Sequence, residues 1–197
     1  MDNKIHETAI IGENVTIGKG NIIGAYTVIY DNVEIGDNNT IGSFVVIGGD
    51  GETKRETEFT KKIIICDNNL INHHVTVDRG NERDTIIGDY CYIMTKSHLG
   101  HDVQLENNVT ISSGANIGGH VTIEEYANVG LNAEVHQRLR IGQSAMVGMG
   151  SSITKPVYPF MKVVGVNRIL GYNVKRVKAS GLDMREIRII GREFKVK

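Results

Sequence analysis

The sequence predicts an all-β protein folded as a parallel β-helix, with a short α-helical segment at its C-terminus. Aliphatic residues recur every six positions in three runs, from Ile11 to Ile47, from Ile65 to Val77 and from Ile87 to Ile153. Neither an α-helix, with about 3.6 residues per turn, nor an isolated strand, with a period of about 2, gives this spacing. Three hexapeptides instead form one triangular coil with each sixth side chain pointing inward, and such coils stack through parallel ladders.

The composition favours a core of aliphatic side chains. Hydrophobic residues make up 40% of the 197 positions, but aromatic residues make up only 6%, and Trp is absent. Glycine follows the inward aliphatic residue at Gly12, Gly18, Gly24 and Gly36. We expect these glycines to permit the tight corners of the coil, because a Cβ would be an obstruction there.

Two interruptions of the repeat predict loops that leave the coil, at residues 49–62 and 78–85. The first segment is too polar for inward positions, and the second is a shorter excursion. Loops carried by a rigid scaffold often hold functional residues. We therefore interpret residues 1–160 as one β-helix domain whose function lies near these loops.

The period is lost after Pro156 and Pro159, and residues 161–197 are interpreted as a short basic helical segment. From residue 171 onwards there are eight Lys and Arg against three Asp and Glu, which suits phosphates, an acidic partner or a solvated helix face. Asp183 and Glu186 form a capping box ahead of an apolar series, which predicts a terminal helix. We expect this helix to close the open end of the ladders.

Several classes of protein are disfavoured by the sequence. It contains no run of about 18 apolar residues for a transmembrane helix, and the N-terminus lacks the basic-then-apolar pattern of a secretory signal. Cys66 and Cys91 are too few for a disulfide framework and are expected to be reduced thiols. The sequence thus predicts a cytoplasmic protein with no membrane insertion and no nucleic-acid partner.

Four of the seven histidines are predicted to share one strip of surface. The repeat units that begin at Leu99, Ile117 and Val135 are 18 residues apart, so they stack in successive coils. His101, His120 and His136 belong to these units, and His98 comes just before the first unit. Ordinary polar residues on an exposed face remain an alternative, but four clustered imidazoles favour a functional site.

Five segments of the sequence, among them Ser97–Asp102 and Glu134–Gln137, carry a resemblance to a known family. They resemble the UDP-N-acetylglucosamine O-acyltransferases of lipid A and lipopolysaccharide biosynthesis, and the similarity extends from about His6 to the C-terminus. The resemblance implies a left-handed β-helix, a cytoplasmic homotrimer and an acyl donor in which a thioester is carried by the phosphopantetheine of acyl carrier protein or by CoA. It implies a nucleotide-linked sugar, UDP- or dTDP-linked, as acceptor, with no tightly bound cofactor and no metal. The segments are Val77–Gly80, Ser97–Asp102, Gly118–Val121, Glu134–Gln137 and Gly171–Asn173.

The resemblance also implies roles for individual residues. His101 matches the general base of the family and Asp102 the carboxylate beside it, while the backbone N–H of Gly119 matches the donor to the oxyanion. Imidazole suits the role of base because it exchanges protons near neutral pH. The residues implied to line the sugar-nucleotide site are His98, His120, His136, Gln137 and Asn173.

The sequence departs from the family pattern at several positions. In the first loop, Thr53 stands at the position of a sugar-contacting aspartate and Arg55 at that of a lysine. Ala179 and Ser180 stand where the family has paired arginines, and most of its long C-terminal helical domain is expected to be absent. Met149 stands where some members have a glycine that leaves room for a long acyl chain, so we expect a short acyl group.

Three alternatives remain open from the sequence alone. A CoA-dependent N-acetyltransferase acting on an amino sugar nucleotide would use the same scaffold and base. A γ-class carbonic anhydrase requires three zinc-binding histidines from two chains. The two ligands that lie in one turn of such an enzyme are further apart in sequence than His98 and His101. His73 and His74 are adjacent and do not match this spacing either. A purely structural β-helix is disfavoured by the histidine strip and the two loops.

Overall fold

The computed structural model describes residues 2–52 and 60–194 as a parallel β-helix followed by two short helices. The helices are α1 (Val174–Ser180) and α2 (Met184–Phe194). The strands are β1 (Lys4–Ile5), β2 (Ile10–Ile11), β3 (Thr16–Ile17), β4 (Ile22–Ile23), β5 (Val28–Ile29), β6 (Val33–Ile35), β7 (Thr40–Ile41), β8 (Val46–Gly49), β9 (Ile63–Ile65), β10 (Leu70–Ile71), β11 (Thr76–Asp78), β12 (Thr85–Ile87), β13 (Tyr92–Ile93), β14 (His98–Leu99), β15 (Gln104–Leu105), β16 (Thr110–Ile111), β17 (Asn116–Ile117), β18 (Thr122–Ile123), β19 (Asn128–Val129), β20 (Glu134–Val135), β21 (Arg140–Ile141), β22 (Met146–Val147), β23 (Ser152–Ile153), β24 (Met161–Val164) and β25 (Arg168–Tyr172).

These strands form three sheets, one for each side of the coil. Sheet A contains every third strand from β1 to β22 and ends with β24 and β25. Sheet B contains every third strand from β2 to β23, and sheet C every third strand from β3 to β21. Most neighbours within a sheet pair residues 18 positions apart, as Leu99 pairs with Ile117 and Ile117 with Val135. The predicted stacking of units 18 residues apart is confirmed.

The inward aliphatic residues of the repeat form the core, as the period of six predicts. In the first coil, Ile11 and Ile17 are only partly buried because no coil precedes them. Smaller residues, such as Ala115 and Ala127, fill the corners between the inward aliphatic residues. Fully buried members of the repeat include Ile29, Ile47, Ile71, Ile93, Leu99, Ile117, Val129 and Val147.

The glycines after the inward residues act differently from the expectation. The left-handed backbone of each corner falls three residues after the inward aliphatic residue, as at Tyr26 with φ of 56°. Gly24, two positions earlier, has no positive φ. A Cβ on Gly24 would instead lie 2.7 Å from the carbonyl carbon of Gly42 in the next coil. These glycines therefore permit the close stacking of coils, whereas the left-handed conformation of the corner is adopted by residues of several types, most often Asn and Tyr.

A strand hairpin, rather than the terminal helix, covers the C-terminal end of the coil. Strand β24 pairs with β22 of sheet A, Val157 bridges to Ile141 of sheet C and Val166 bridges to Ser152 of sheet B. The expectation that the helix closes this end is wrong, because residues 157–172 already pair with the last strand of each sheet. The segment after residue 160 thus begins with β24 and β25 and becomes helical only at residue 174.

The terminal helix itself begins as the capping box predicts. The Asp183 carboxylate accepts the Glu186 N–H at 2.8 Å, and the Glu186 carboxylate accepts the Asp183 N–H at 2.7 Å. Helix α2 lies against the side of the last coils, with the Phe194 ring 5.1 Å from that of Tyr158. Neither helix in the described part of the chain is long and apolar enough to cross a membrane.

A column of buried asparagines links the N-terminal coils at the corner between sheets C and A. The Asn39 N–H donates to Asn21 Oδ1 at 2.8 Å, and the Asn69 N–H donates to Asn39 Oδ1 at 2.8 Å. Asn21 Nδ2 also donates to the Gly36 carbonyl at 2.8 Å. The column thus satisfies backbone groups that the strands leave unpaired at this corner.

Replacing Asn21 by Ala removes both of its side-chain hydrogen bonds and leaves the buried Asn39 N–H without an acceptor. We expect the free energy of unfolding to fall by about 1–3 kcal/mol, measured by urea denaturation. The control Asn128→Ala changes a residue of β19 that makes no side-chain hydrogen bond in the described residues, and we expect a change within about 0.5 kcal/mol. Equal stability of both variants would contradict this role of the column.

Candidate active site

The predicted histidine strip lies along sheet B and the corner that follows it. His98 is in β14, whereas His101 and His120 are in the turns that connect sheet B to sheet C in two successive coils. The rings of His101 and His120 meet edge to face with their centroids 4.9 Å apart. His136 follows β20 one coil further on and is exposed.

The second excursion from the coil, residues 79–84, holds the Asp102 carboxylate in place. Asp102 is fully buried and has a left-handed backbone with φ of 61°. One carboxylate oxygen accepts the N–H groups of Glu82 at 2.9 Å and Arg83 at 2.6 Å. The other lies 2.6 Å from His101 Nδ1 and 3.3 Å from the Asn81 N–H. The loop and His101 are thus joined at one carboxylate.

These contacts determine which nitrogen of His101 carries a proton. Burial alone raises the pKa of Asp102, but hydrogen bonds from the Arg83 N–H, the His101 ring and others outweigh burial and leave the pKa below its ordinary value. The ionised carboxylate is only an acceptor, so His101 Nδ1 must carry the hydrogen of their bond. The lone pair of the neutral ring is then on Nε2.

Arg83, which the sequence analysis did not single out, fixes the backbone around the two histidines. Its Nε donates to the Asp102 carbonyl at 2.8 Å, and one terminal nitrogen donates to the His120 carbonyl at 3.0 Å. It therefore ties two successive coils together at the corner. The only sequence signal for this role is its position within the second interruption of the repeat.

Gly119 lies directly beside His101. A Cβ on Gly119 would be 2.6 Å from His101 Nε2, so only glycine fits this close approach. In the following corner of the same coil, between sheets C and A, the residue equivalent to Gly119 is Glu125. The Glu125 N–H donates to the Glu106 carboxylate of the preceding coil at 2.9 Å. In the corner of Gly119, the place of Glu106 is taken by Gly100, which has no side chain to accept such a bond. Within residues 2–52 and 60–194, the Gly119 N–H has no acceptor.

His120 is held by charged neighbours. Its Nε2 lies 3.2 Å from a terminal nitrogen of Arg138, which is always a donor, so Nε2 accepts. The pKa of His120 is lowered, chiefly by burial, although the negative charge of Asp102 acts to raise it. A neutral ring at this position has Nδ1 protonated and directed toward the Glu82 carboxylate, 3.8 Å away.

The potential metal ligands His101, Asp102 and His120 have donor atoms within 4.8 Å of one another, the one such group in the described part of the chain. The Asp102 oxygens, however, already accept the hydrogen bonds from the 79–84 loop and His101. This arrangement favours a hydrogen-bonded carboxylate–imidazole pair over a metal centre.

His98 and Asp78 line the other side of the site. His98 Nδ1 lies 2.8 Å from the Thr76 hydroxyl, and its Nε2 lies 3.7 Å from Asp78. Burial lowers the pKa of His98. Burial, followed by the nearby charge of Glu52, raises the pKa of Asp78 to about 7. The sequence analysis includes this carboxylate in the family segment Val77–Gly80 but assigns no role to it.

The outer face of sheet B forms a groove beside the histidines. His98 and His136 both line it, so the structure brings these two predicted site residues together. The strand residues stack in register from His98 to Asn116, Glu134 and Ser152. The groove has the length of several coils, which suits an extended ligand.

Comparison with known proteins identifies the family. The bacterial transferase hexapeptide (six repeats) profile matches residues 14–49 and 84–119. The acyl-[acyl-carrier-protein]–UDP-N-acetylglucosamine O-acyltransferase of Syntrophobacter fumaroxidans is 34% identical over 99% of this chain and 78% of its own. The enzyme of that name from Saccharophagus degradans is 37% identical over 99% of this chain and 77% of its own. The chain belongs to this acyltransferase family.

Solved structures of family members have the same fold. The UDP-N-acetylglucosamine acyltransferase of Francisella novicida matches with a TM-score of 0.84 at 29% identity, over 98% of this chain and 77% of that chain. The corresponding enzyme of Campylobacter jejuni matches with a TM-score of 0.79 at 25% identity, over 98% of this chain and 83% of that chain. The likeness confirms the left-handed β-helix expected from the sequence resemblance.

Not all of the family positions lie together in one chain. Gln137 is exposed in the same corner as His120, one coil further on. Asn173 caps the start of α1 and donates to the Ser144 carbonyl at 3.0 Å, at the corner between sheets C and A. Met149 is 74% exposed at the third corner, after β22 of sheet A. Arg55 and Thr53 lie outside the described residues.

Replacing Asp102 by Asn tests whether the hydrogen bonds that its carboxylate accepts from the 79–84 loop and His101 stabilise the fold. Because the pKa of Asp102 is lower in the folded than in the unfolded chain, its carboxylate stabilises the fold above the unfolded value of about 3.9 and loses this contribution as pH falls through the folded value. Urea unfolding should show the variant less stable at pH 7, with the difference narrowing below about pH 4. A difference independent of pH would contradict this assignment.

Proposed function

We propose that this acyltransferase moves an acyl group from a thioester onto a hydroxyl or amine of a nucleotide-linked sugar, with His101 as general base. The curated relatives are named for transfer from acyl carrier protein to UDP-N-acetylglucosamine. The observation that carries the proposal is the His101–Asp102 pair beside a backbone N–H that has no acceptor in the described chain. A base and an oxyanion donor at one point are what acyl transfer requires.

The geometry suggests how the reaction proceeds. His101 Nε2 takes the proton of the acceptor as its oxygen or nitrogen attacks the thioester carbonyl carbon. The C–S bond of the resulting tetrahedral intermediate then breaks, and His101 returns the proton to the leaving sulfur. Asp102 holds the ring with Nε2 toward the substrate and stabilises the imidazolium while it carries the proton.

The Gly119 N–H would stabilise the oxyanion of that intermediate. One preorganised donor of this kind contributes about 10²–10³ in rate. Because Gly100 leaves this N–H without a side-chain acceptor, it does not have to break a bond within the protein before it meets the oxyanion. Glycine at positions 100 and 119 therefore permits the close stacking of the coils and also leaves this N–H available to the oxyanion.

The remaining predicted residues support an assembly of several chains. His98, His120, His136 and Gln137 lie on one side of the coil, where they would bind the nucleotide sugar. Asn173 lies at a different corner, so one site can use Asn173 and His101 together only if Asn173 comes from another copy. We propose a homotrimer on this basis, with Arg55 among the sugar contacts. The two free cysteines suit a cytoplasmic location.

A panel of substrates tests the proposed function. Purified protein is incubated with acetyl-CoA or with acyl carrier proteins of graded chain length, and with UDP- and dTDP-linked sugars, and the product masses are read. An acylated nucleotide sugar is expected, and its absence from every combination would contradict the proposal. Light scattering of the same sample reports whether the 21.7 kDa chain forms a trimer.

The variant His101→Ala should lose at least about 10²-fold in turnover, because a positioned general base contributes about 10²–10⁴. The matched control is His6→Ala, a change to an exposed histidine of the first coil. Both variants should remain folded, but His101→Ala should unfold at a lower urea concentration than the wild-type protein, because Asp102 loses its bond to the His101 ring. If His101→Ala retains more than about a tenth of the wild-type turnover, the assignment of the base is wrong.

The variant Met149→Gly tests the expected limit on acyl length. The exposed Met149 side chain occupies space equivalent to several methylene groups, each worth about 0.8 kcal/mol when buried. We expect the wild-type protein to prefer acyl groups of about ten carbons or fewer, and the variant to accept longer ones. Turnover across a donor series measures this, and an unchanged preference would make Met149 a surface residue without this role.

A further inference from the structure

Arg138, in the corner that follows β20, is a cation beside the proposed reaction centre that the mechanism above does not use. Its backbone has a φ of 60°, and His120 and Asp102 have a φ of 61° at the equivalent position of the two preceding coils. The Arg138 N–H donates to the Gly119 carbonyl at 2.8 Å, which holds the corner of Arg138 against that of His120. Arg138, His120 and Asp102 therefore form a column of three side chains along one corner of the coil.

One terminal nitrogen of Arg138 contacts both the ring of His120 and a carboxylate. It lies 3.2 Å from His120 Nε2 and 3.3 Å from the Glu82 carboxylate. The contact with His120 requires a lone pair on Nε2, because a guanidinium can only donate. A ring that has no hydrogen on Nε2 is neutral and carries its hydrogen on Nδ1.

The same nitrogen of His120 lies close to the carboxylate that orients the base. Asp102 Oδ2 is 3.7 Å from His120 Nε2 and 2.6 Å from His101 Nδ1. A hydrogen on His120 Nε2 would make this ring a second donor near the oxygen, in competition with His101. Because Arg138 donates to His120 Nε2, this nitrogen carries no hydrogen and the Asp102 oxygen remains available to His101.

The charges around His120 show why a cation is needed to leave Nε2 bare. Carboxylates face both nitrogens of the ring, since Glu82 is 3.8 Å from Nδ1 and Asp102 is 3.7 Å from Nε2. Each carboxylate favours a hydrogen on the nitrogen that faces it. Arg83 donates to the His120 carbonyl and not to the ring. Arg138 is therefore the contact that opposes a hydrogen on Nε2.

Resting on the proposed function, we propose that Arg138 is a positioning residue, which donates to His120 Nε2 and thereby reserves the Asp102 carboxylate for His101. It acts on the reaction through His120. Without this donor, His120 would carry its hydrogen on Nε2 and share the Asp102 oxygen with His101. The ring of His101 would then be held less firmly with its Nε2 lone pair toward the substrate.

Nitrogen NMR of the protein with isotopically labelled histidine tests this inference independently of activity. At a pH where the rings are neutral, His120 of the wild-type protein should carry no hydrogen on Nε2. The variant Arg138→Met keeps an unbranched side chain and removes the donor, so the hydrogen should move to Nε2. A hydrogen on Nε2 in the wild-type protein, or an unchanged ring in the variant, would overturn the inference. If Arg138→Met does not fold, the wild-type spectrum decides.

Turnover provides the second measurement. The kcat of Arg138→Met should fall about 10-fold, because a residue that orients a reacting group typically contributes about 10–100-fold to activity. Arg138→Lys should recover most of this loss, since one nitrogen makes both contacts and an ammonium is also only a donor. The matched control Arg188→Met changes an exposed arginine of α2 and should leave kcat unchanged.

The kinetic constants separate this role from direct binding of the substrate. A higher KM for the nucleotide sugar with an unchanged kcat would mean that Arg138 contacts the acceptor, which contradicts a role through His120. If no combination of donor and acceptor gives a product, the proposed function is wrong. The NMR experiment still decides in that case whether Arg138 sets the state of the His120 ring.

Discussion

The structure depends on one constraint, the hydrogen-bonded register between coils. Backbone N–H groups of the strands and of the residues that follow them donate to carbonyls of the next coil, as the Gly100 N–H does to the Ile117 carbonyl at 2.8 Å and the Gly118 N–H to the Val135 carbonyl at 2.9 Å. Residues 18 positions apart are therefore held one above the other without any side-chain contact. His101 and Gly119 become neighbours by this rule, since they occupy the same place in successive coils.

The proposed reactive centre lies where that register is locally altered. Val77 pairs with Leu99, 22 positions away rather than 18, so this coil contains four additional residues. The resulting loop turns the N–H groups of both Glu82 and Arg83 toward Asp102, whereas a regular corner directs one N–H to a carboxylate, as at Glu13. The regular ladder thus supplies a rigid position for His101, and the insertion supplies the carboxylate environment that orients it. Both features are needed for a base with a defined tautomer.

The sequence predicts the parts that follow from the repeat alone. The inward isoleucines, the stacking of the units that hold His101 and His120 and the capping box at Asp183 are local or periodic features, so a single sequence is sufficient. The position of the left-handed corner residue was not predicted, because Tyr26 has a side chain that usually disfavours this conformation. The closing hairpin was missed because pairing with the ends of all three sheets has no periodic signal.

Asp78 and Arg83 were missed for a related reason. Their roles depend on how the irregular loop folds back over the coil, which the repeat does not specify. Arg83 reaches two carbonyls on different coils, and Asp78 lies 3.7 Å from His98 of the next coil. Non-local contacts made by an insertion are what a single sequence describes least well.

The central claim is that Asp102 fixes the proton of His101 on Nδ1 and leaves Nε2 as the base beside Gly119. Nitrogen NMR of the protein with isotopically labelled histidine reports the protonation of each ring nitrogen directly. At a pH where the His101 ring is neutral, the account predicts a hydrogen on Nδ1 and none on Nε2. A hydrogen found on Nε2 would contradict it.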